Sequence, residues 1–330
     1  MIGEWFREFG ITAITVSSIR MAWYFAENGW DDITVALPVN IAEISEINEL
    51  AAKIQLNLLI ENEESLACLD QFIKFQVGLF IEIDTGHNRT GISQDKTKKI
   101  DNLLNRIGKN KLLTFKGFLS HAGHTYEATS RHEIHNAHFD ALLKMRSLKN
   151  RYKYNWPGLI LSLGDTPTAS ICDNFTEIDE IRPGNFIFYD LMQYQLGSCR
   201  FEDIALRLVC PVISKQESRN EVVIYGGAIH FSRDSITNID GKELYGQIIV
   251  NINGKKTLLD ERNYLHRLSQ EHGIIKVTQK DFNYFNIGDL IEIVPVHSCL
   301  TANLMGSYLT TEGEVIPMMN SKLSTHSTVY

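Results

Sequence analysis

The 330-residue sequence has no apolar run long enough to cross a bilayer, and its first residues lack the basic-then-apolar pattern of a secretion signal. Proline is scarce at 7 and glycine ordinary at 22, with no low-complexity tract or internal repeat, which excludes collagen-like and disordered chains. There is no basic excess: 32 Lys and Arg face 40 Asp and Glu, a formal net charge of -8. A nucleic-acid partner is therefore not expected, nor a membrane one. The five cysteines, 68, 172, 199, 210 and 299, are odd in number, scattered and free of any CxxC. That argues against a disulfide framework and for a reducing, cytoplasmic setting.

What the chain does have is alternation. MIGEWFREFG reads as an amphipathic helix, with Trp5, Phe6 and Phe9 at helical spacing and Gly10 as its C-terminal cap. Apolar, β-branched runs at 11–18, 32–38, 54–60, 77–84, 114–121, 159–163 and 181–189 read as strands, with helical patterns between them. Continuous apolar strands alternating with helices predict a parallel sheet covered by helices. Seven strands are one short of a closed (β/α)₈ barrel, and the open alternative is a doubly wound sheet. The missing member is expected before the opening helix. After about residue 196 the pattern changes to short strands with turn signals, expected at 204–212, 221–231, 246–251, 274–277, 289–296 and 304–310. The expected division is a barrel domain over 1–196 and a mainly β domain over 197–330. Residues 319–330 are polar and expected to fray.

In a barrel the chemistry sits at the C-terminal strand ends. EIDTGHNRTGI (82–92) brings Arg89, a fixed cation for an anion or a phenolate, or else the partner of a neighbouring acid. Its Asn88–Thr90 sequon is discounted in a chain without an export signal. SHAGHTY (120–126) supplies His121, His124 and Tyr126 for ligand contact, or a metal pair of the two histidines, or a histidine capping the next helix. SLGDTPT (162–168) offers backbone N–H groups and hydroxyls to a phosphate, or simply helix caps. EIRPGNFIFYD (180–190) combines Arg182, Gly184, Asn185 and Tyr189. PVHSC (295–299) closes an apolar strand, and on a strand His297 and Cys299 would share a face. Imidazole and thiolate suit zinc, although two ligands do not complete a site.

In order, GDTPT, EIRPGNFIFYD, YGGAIHFSRD, QEHG and PVHSC resemble the metal-activated D-serine dehydratase and D-threonine aldolase group. These are fold-type III pyridoxal-phosphate enzymes related to alanine racemase, and the resemblance runs from ITVSS to PVHSC. It implies a (β/α)₈ barrel followed by a β domain, pyridoxal 5'-phosphate as cofactor and a divalent metal, zinc where Cys is a ligand. The family's phosphate motif falls on Gly164, Thr166 and Thr168, with Gly184, Asn185 and Tyr189 close by in sequence. Its strand-end Arg and Tyr positions fall on Arg89 and Tyr126, with His121 beside them. Arg182 matches the Arg that faces the cofactor's pyridine nitrogen in racemases. The metal pair falls on His297 and Cys299. The family's Schiff-base lysine lies in a Lys-Thr-His motif on the first barrel strand, and no such motif occurs here. The expectation is thus a barrel without its first strand. The implied activity is a lyase on a β-hydroxy-D-amino acid, releasing a keto acid and ammonia or cleaving as an aldolase, in a homodimer. A truncated or degenerate member without turnover and an amino-acid racemase stay open.

Overall fold

The computed structural model describes residues 1–319; the polar C-terminal stretch, beyond Met319, lies outside them. The chain forms two compact units, Met1–Gly184 and a second from Asn185 onward.

In the first unit, helix α1 (Ile2–Glu8) precedes β1 (Ile14–Val16), α2 (Ile19–Glu27), β2 (Asp32–Pro38), α3 (Ile44–Ala51), β3 (Gln55–Ile60) and α4 (Glu63–Phe72). The series continues with β4 (Val77–Asp84), a short β5 (Ile92–Ser93) beside it, α5 (Thr97–Ile107), β6 (Leu113–Ser120), α6 (Arg131–Tyr152), β7 (Ile160–Leu163), α7 (Thr166–Ile171) and β8 (Glu180–Ile181). Strands pair in parallel in the order β1-β2-β3-β4-β6-β7-β8, so neighbours in sequence are neighbours in space. This is the curled, helix-covered sheet of a (β/α)-barrel type, as the alternation predicts. Among the described residues β1 and β8 do not pair with each other. They nevertheless approach: Arg182, the residue after β8, donates to Thr15 of β1.

Alternation within the strands divides the packing. Leu79, Ile81 and Ile83 of β4 join the large core between sheet and helices, whereas Phe80 packs with Leu59 and Leu119 in a separate cluster on the opposite face. The helices begin where polar side chains accept their unpaired N–H groups. Ser18 accepts from Met21, Asn62 from Ser65, Ser130 from Glu133 and Asp165 from Thr168. Each cap marks a strand-to-helix turn at the end of the sheet that carries the candidate site.

The strand expected over 181–189 shrinks to the two residues of β8. Pro183 cannot donate to the sheet, Asn185–Ile187 coil into a 3₁₀ turn, and Tyr189 adopts a left-handed φ of 49°. The apolar FIF run is therefore a turn, not a ladder.

The second unit opens with α8 (Leu191–Leu196). It continues through β9 (Leu208–Gln216), β10 (Glu221–Tyr225), α9 (Ala228–Phe231), β11 (Ile236–Thr237), β12 (Glu243–Leu244), β13 (Gly246–Ile252) and β14 (Lys255–Leu258). Then come β15 (Tyr264–Leu268), β16 (His272–Lys276), β17 (Leu290–Pro295), α10 (Ser298–Met305), β18 (Ser307–Leu309) and β19 (Val315–Pro317). The antiparallel order β14-β13-β15-β16-β10-β9-β17 closes because β13 also pairs β17. Closure encloses Val222, Ile224, Ile248, Leu265, Ile275 and Ile293, all fully buried, and leaves β14 as an edge strand paired to β13. Two expected strands are shorter than read. Gly226 and Gly227 end β10 before the helical turn α9, and the 304–310 segment finishes α10 before β18 begins.

Candidate functional site

In the first unit the loop after β4 folds back on its strand. Asp84 Oδ1 accepts from the backbone N–H of Gly86 at 2.9 Å and of Asn88 at 3.1 Å. Gly91 N–H donates to the Glu61 carboxylate, and Thr90 Oγ1 donates to Glu82 Oε1 at 2.8 Å. Glu82 is only 4% exposed, and its Oε2 has no hydrogen-bond partner among the described residues. Burial pushes its carboxyl up, with the Glu61 charge adding to the shift and the Thr90 bond and the Arg89 charge opposing it. Arg89 is exposed, and among the described residues it makes no ion pair, so its charge stays available to an anion.

The end of β6 is stitched to the end of β7. His121 Nδ1 lies 2.6 Å from the Gly164 carbonyl oxygen; a carbonyl can only accept, so Nδ1 carries the proton. Thr166 N–H donates to the Tyr126 hydroxyl at 3.2 Å, and Thr125 Oγ1 donates to Asp165 Oδ1 at 2.9 Å. Asp165 also accepts from Thr168 N–H at 2.8 Å and Thr168 Oγ1 at 2.7 Å. A 1%-exposed carboxylate thus has its charge matched by three internal donors. His121, Tyr126, Gly164, Thr166 and Thr168 are brought together by these bonds. Burial holds the His121 ring below the usual imidazole range, against the Gly164 bond, so it is neutral near pH 7 with a lone pair on Nε2.

Around it stand two more imidazoles. His87 meets His121 edge-on with ring centroids 5.9 Å apart and lies roughly parallel to His124 at 6.5 Å. A Cβ on Gly123 would sit 2.6 Å from His87 Nε2, so glycine is required for that approach. Among the described residues no three His, Cys, Asp or Glu side chains gather to hold one ion, and the histidine trio is no exception.

Arg182 is committed. It donates to Ser162, to Glu180 and to Thr15, and its guanidinium lies 5.3 Å from the centre of the Phe80 ring. It packs on Gly164, where a Cβ would meet the Arg182 Cβ at 2.6 Å. A Cβ on Gly184 meets nothing within 4 Å.

In the second unit Asp190 caps α8 and is fully buried. Its carboxylate accepts from Asn185 Nδ2 at 2.6 Å, from Gln193 N–H at 2.9 Å and from Ser298 N–H at 3.1 Å. Burial raises its carboxyl against those three donors. Ser298 Oγ also donates to the Tyr189 carbonyl. Asn185 and Tyr189 thereby fix the N-terminus of α10. This corrects the placement of the metal-type pair: β17 ends at Pro295, His297 is the N-cap of α10 and Cys299 lies in its first turn. The two share no strand face, because the Asp190 and Tyr189 contacts turn the chain into a helix at Ser298. His297 Nδ1 is 2.6 Å from Asp234 Oδ2. Cys299 is exposed as a residue, yet desolvation and the Asp190 charge push its thiol up to about 11. Exposure governs access to the sulfur, and desolvation governs its proton.

Three residues of weight were not assigned their structural role from sequence, Asp165 being read only as a possible helix cap. Glu82 had a signal, a charge inside the apolar run VGLFIEID. Asp165 stood inside a quoted motif, but nothing local showed that its bonds join two strand ends. Asp234 closes the quoted YGGAIHFSRD motif, but nothing local tied it to His297, 63 positions away.

Known proteins bear on this arrangement. Residues 4–191 match the alanine racemase N-terminal domain, and residues 205–311 match the putative serine dehydratase domain. The chain is 30% identical to the D-serine dehydratase of Dictyostelium discoideum, covering 89% of this chain and 78% of that one. It is 27% identical to the D-threo-3-hydroxyaspartate dehydratase of Delftia sp., covering 94% and 83%. A variant of a D-threo-3-hydroxyaspartate dehydratase, solved in the metal-free form, superimposes with a TM-score of 0.83 at 25% identity over 94% of this chain and 84% of that one. Both the sequence motifs and the fold therefore place the chain in the D-serine dehydratase family of fold-type III pyridoxal-phosphate enzymes.

Proposed function

We propose that this chain is a pyridoxal-phosphate-dependent, metal-assisted lyase that removes water from a β-hydroxy-D-amino acid, leading to a keto acid and ammonia. The observation that carries the metal-assisted reading is His297: Asp234 occupies its Nδ1 and leaves Nε2 for an ion, two residues before the Cys299 thiol. Imidazole with thiolate is a zinc donor set, and two protein donors leave room for water or substrate. The Cys at this place and the dehydratase relatives both favour elimination over aldol cleavage.

The fit to the cofactor rests on the first unit's buried donors. Thr166 and Thr168 are fully buried, and the Thr166 N–H donates to a neutral hydroxyl, that of Tyr126, at 3.2 Å, where a phosphate oxygen would make a stronger, charge-assisted bond. Gly164, Thr166, Thr168 and Gly184 would hold the phosphate; in the second unit, Asn185 and Tyr189 are assigned to the cofactor by family position. What the group supplies when bound is an electron sink for charge at the substrate's α-carbon. A divalent ion supplies Lewis acidity at the departing hydroxyl.

The chain's own residues have separate tasks. Arg89, an exposed cation with no ion pair among the described residues, binds an anionic oxygen of cofactor or substrate. His121 is neutral and oriented by Gly164, so its Nε2 can hold a proton passed to it. Tyr126 stands beside the helix that receives the phosphate. Arg182, fixed by Ser162, Glu180 and Thr15, presents an immobile positive charge after β8. No lysine stands within three residues after any of the seven strands along the sheet path, so no step that needs an amine is assigned here. That observation favours a second reading, a member that binds cofactor and metal without turnover.

The deciding experiment supplies pyridoxal phosphate and zinc to the purified protein and measures keto acid from D-serine, D-threonine and D-threo-3-hydroxyaspartate. Release that a chelator abolishes supports the lyase. Release indifferent to chelator points to metal-free chemistry, and cofactor binding with no release and no borohydride-trapped lysine adduct supports the second reading. A homodimer and a cytoplasmic location complete the proposal. Light scattering reads the first, and five free cysteines are consistent with the second. No described helix is long and apolar enough to cross a membrane.

A further inference from the structure

His297 begins α10, and the structure spends several bonds on holding it still. Ser298 is anchored to Asp190 and Tyr189, and Thr301 Oγ1 donates to the Phe231 carbonyl at 3.3 Å. That second anchor ties α10 to the end of α9, three residues before Asp234. Ser232 turns the chain there with a left-handed φ of 72°, and its Oγ accepts from Asp234 N–H at 3.2 Å. The turn delivers Asp234 Oδ2 to 2.6 Å from His297 Nδ1. The side chains stay 30% and 40% exposed, so this contact is not forced by burial.

We propose that Asp234 is a positioning residue: its carboxylate fixes the His297 ring with the proton on Nδ1 and the lone pair on Nε2, the form that binds a divalent metal. A carboxylate can only accept, so it selects the Nδ1–H tautomer, and the bond also sets the ring's rotation. A carboxylate behind a metal-binding imidazole raises its basicity, and removing such a partner lowers affinity about 10–100-fold. The inference rests on the metal reading of His297 and Cys299 and adds a third residue to it, one that touches the ligand and not the ion.

The test measures zinc affinity of the full chain by competition with a chromophoric chelator, and cobalt(II) absorption as a report on thiolate coordination. Wild type, His297→Ala, Cys299→Ala, Asp234→Ala and Asp234→Asn are compared, with thermal midpoints in the absence of metal. Asp234→Ala is expected to weaken zinc binding by about 10–100-fold with its metal-free midpoint unchanged. Asp234→Asn, whose amide oxygen still accepts from Nδ1–H without the charge, is expected between the two. If His297→Ala and Cys299→Ala lose zinc while Asp234→Ala binds within about threefold of wild type, the positioning role is wrong and the metal pair stands. If all five proteins bind zinc alike, or none does, the metal reading fails and the inference with it.

Discussion

Asp165→Ala tests whether one carboxylate holds two strand ends together. Asp165 is 1% exposed and accepts three hydrogen bonds, from Thr125 Oγ1, Thr168 N–H and Thr168 Oγ1. Losing the N-cap bond costs about 1 kcal/mol. Each hydroxyl bond to a buried charge is worth about 1.5–3 kcal/mol. Both hydroxyls can turn to other acceptors, and Thr125 already reaches the Ala122 carbonyl at 2.9 Å. The sum is therefore cut to roughly 3–5 kcal/mol. For a unit the size of Met1–Gly184, each kcal/mol moves the midpoint by about 2–4 °C, so the transition should fall by roughly 6–20 °C. Asp165→Asn keeps one acceptor and should lose only about 1–2 kcal/mol. Calorimetry reads the shift. A loss below about 1 kcal/mol for the alanine variant would refute the reasoning, because the strand ends would then be held by packing and by the bonds that do not involve Asp165, His121 to Gly164, Thr166 to Tyr126 and Gly164 to Ser120.

The remaining predictions concern charge. Arg89→Gln should leave stability within about 0.5 kcal/mol, since no ion pair is lost, while weakening pyridoxal-phosphate binding measured by fluorescence titration; unchanged binding would remove Arg89 from the site. Glu82 has a raised carboxyl, so its stabilising contribution is full below the unfolded value near 4.5 and is lost as pH rises through the higher folded value. Glu82→Gln should therefore flatten that part of the stability–pH curve, and a curve parallel to wild type would count against a buried carboxyl. His121 titrates low in the folded chain, so the unfolded chain binds more protons as pH falls below about 6.5. Stability should drop through that window, and His121→Gln should remove part of the drop in urea titrations at pH 5, 6 and 7.

The candidate site was legible in uneven measure. Strand ends announced themselves because a continuous apolar run stops at a polar, glycine-bearing turn, as at Asp84 to Gly91 and Ser120 to Tyr126. Helix starts were as clear, since Ser130 and Asp165 lie directly before helical patterns. The strand over 181–189 was misread because FIF carries the same apolar signal in a turn as in a strand. His297 and Cys299 were placed on a strand for a similar reason: the local run continues, and the bonds that bend it come from Asp190 and Tyr189, more than 100 positions earlier.

By itself the sequence determined the alternating parallel sheet, the change to an antiparallel unit, the strand-end motifs and the family they belong to. All of these rest on periodicity and short-range order, which a chain writes locally. Only the tertiary structure decided that β13 closes on β17, that Arg182 is spent on Ser162, Glu180 and Thr15 while Arg89 makes no ion pair among the described residues, and that Asp234 stands behind His297. Those are choices of partner between distant segments, and hydrogen-bond geometry makes them only once the backbone has brought the segments within reach.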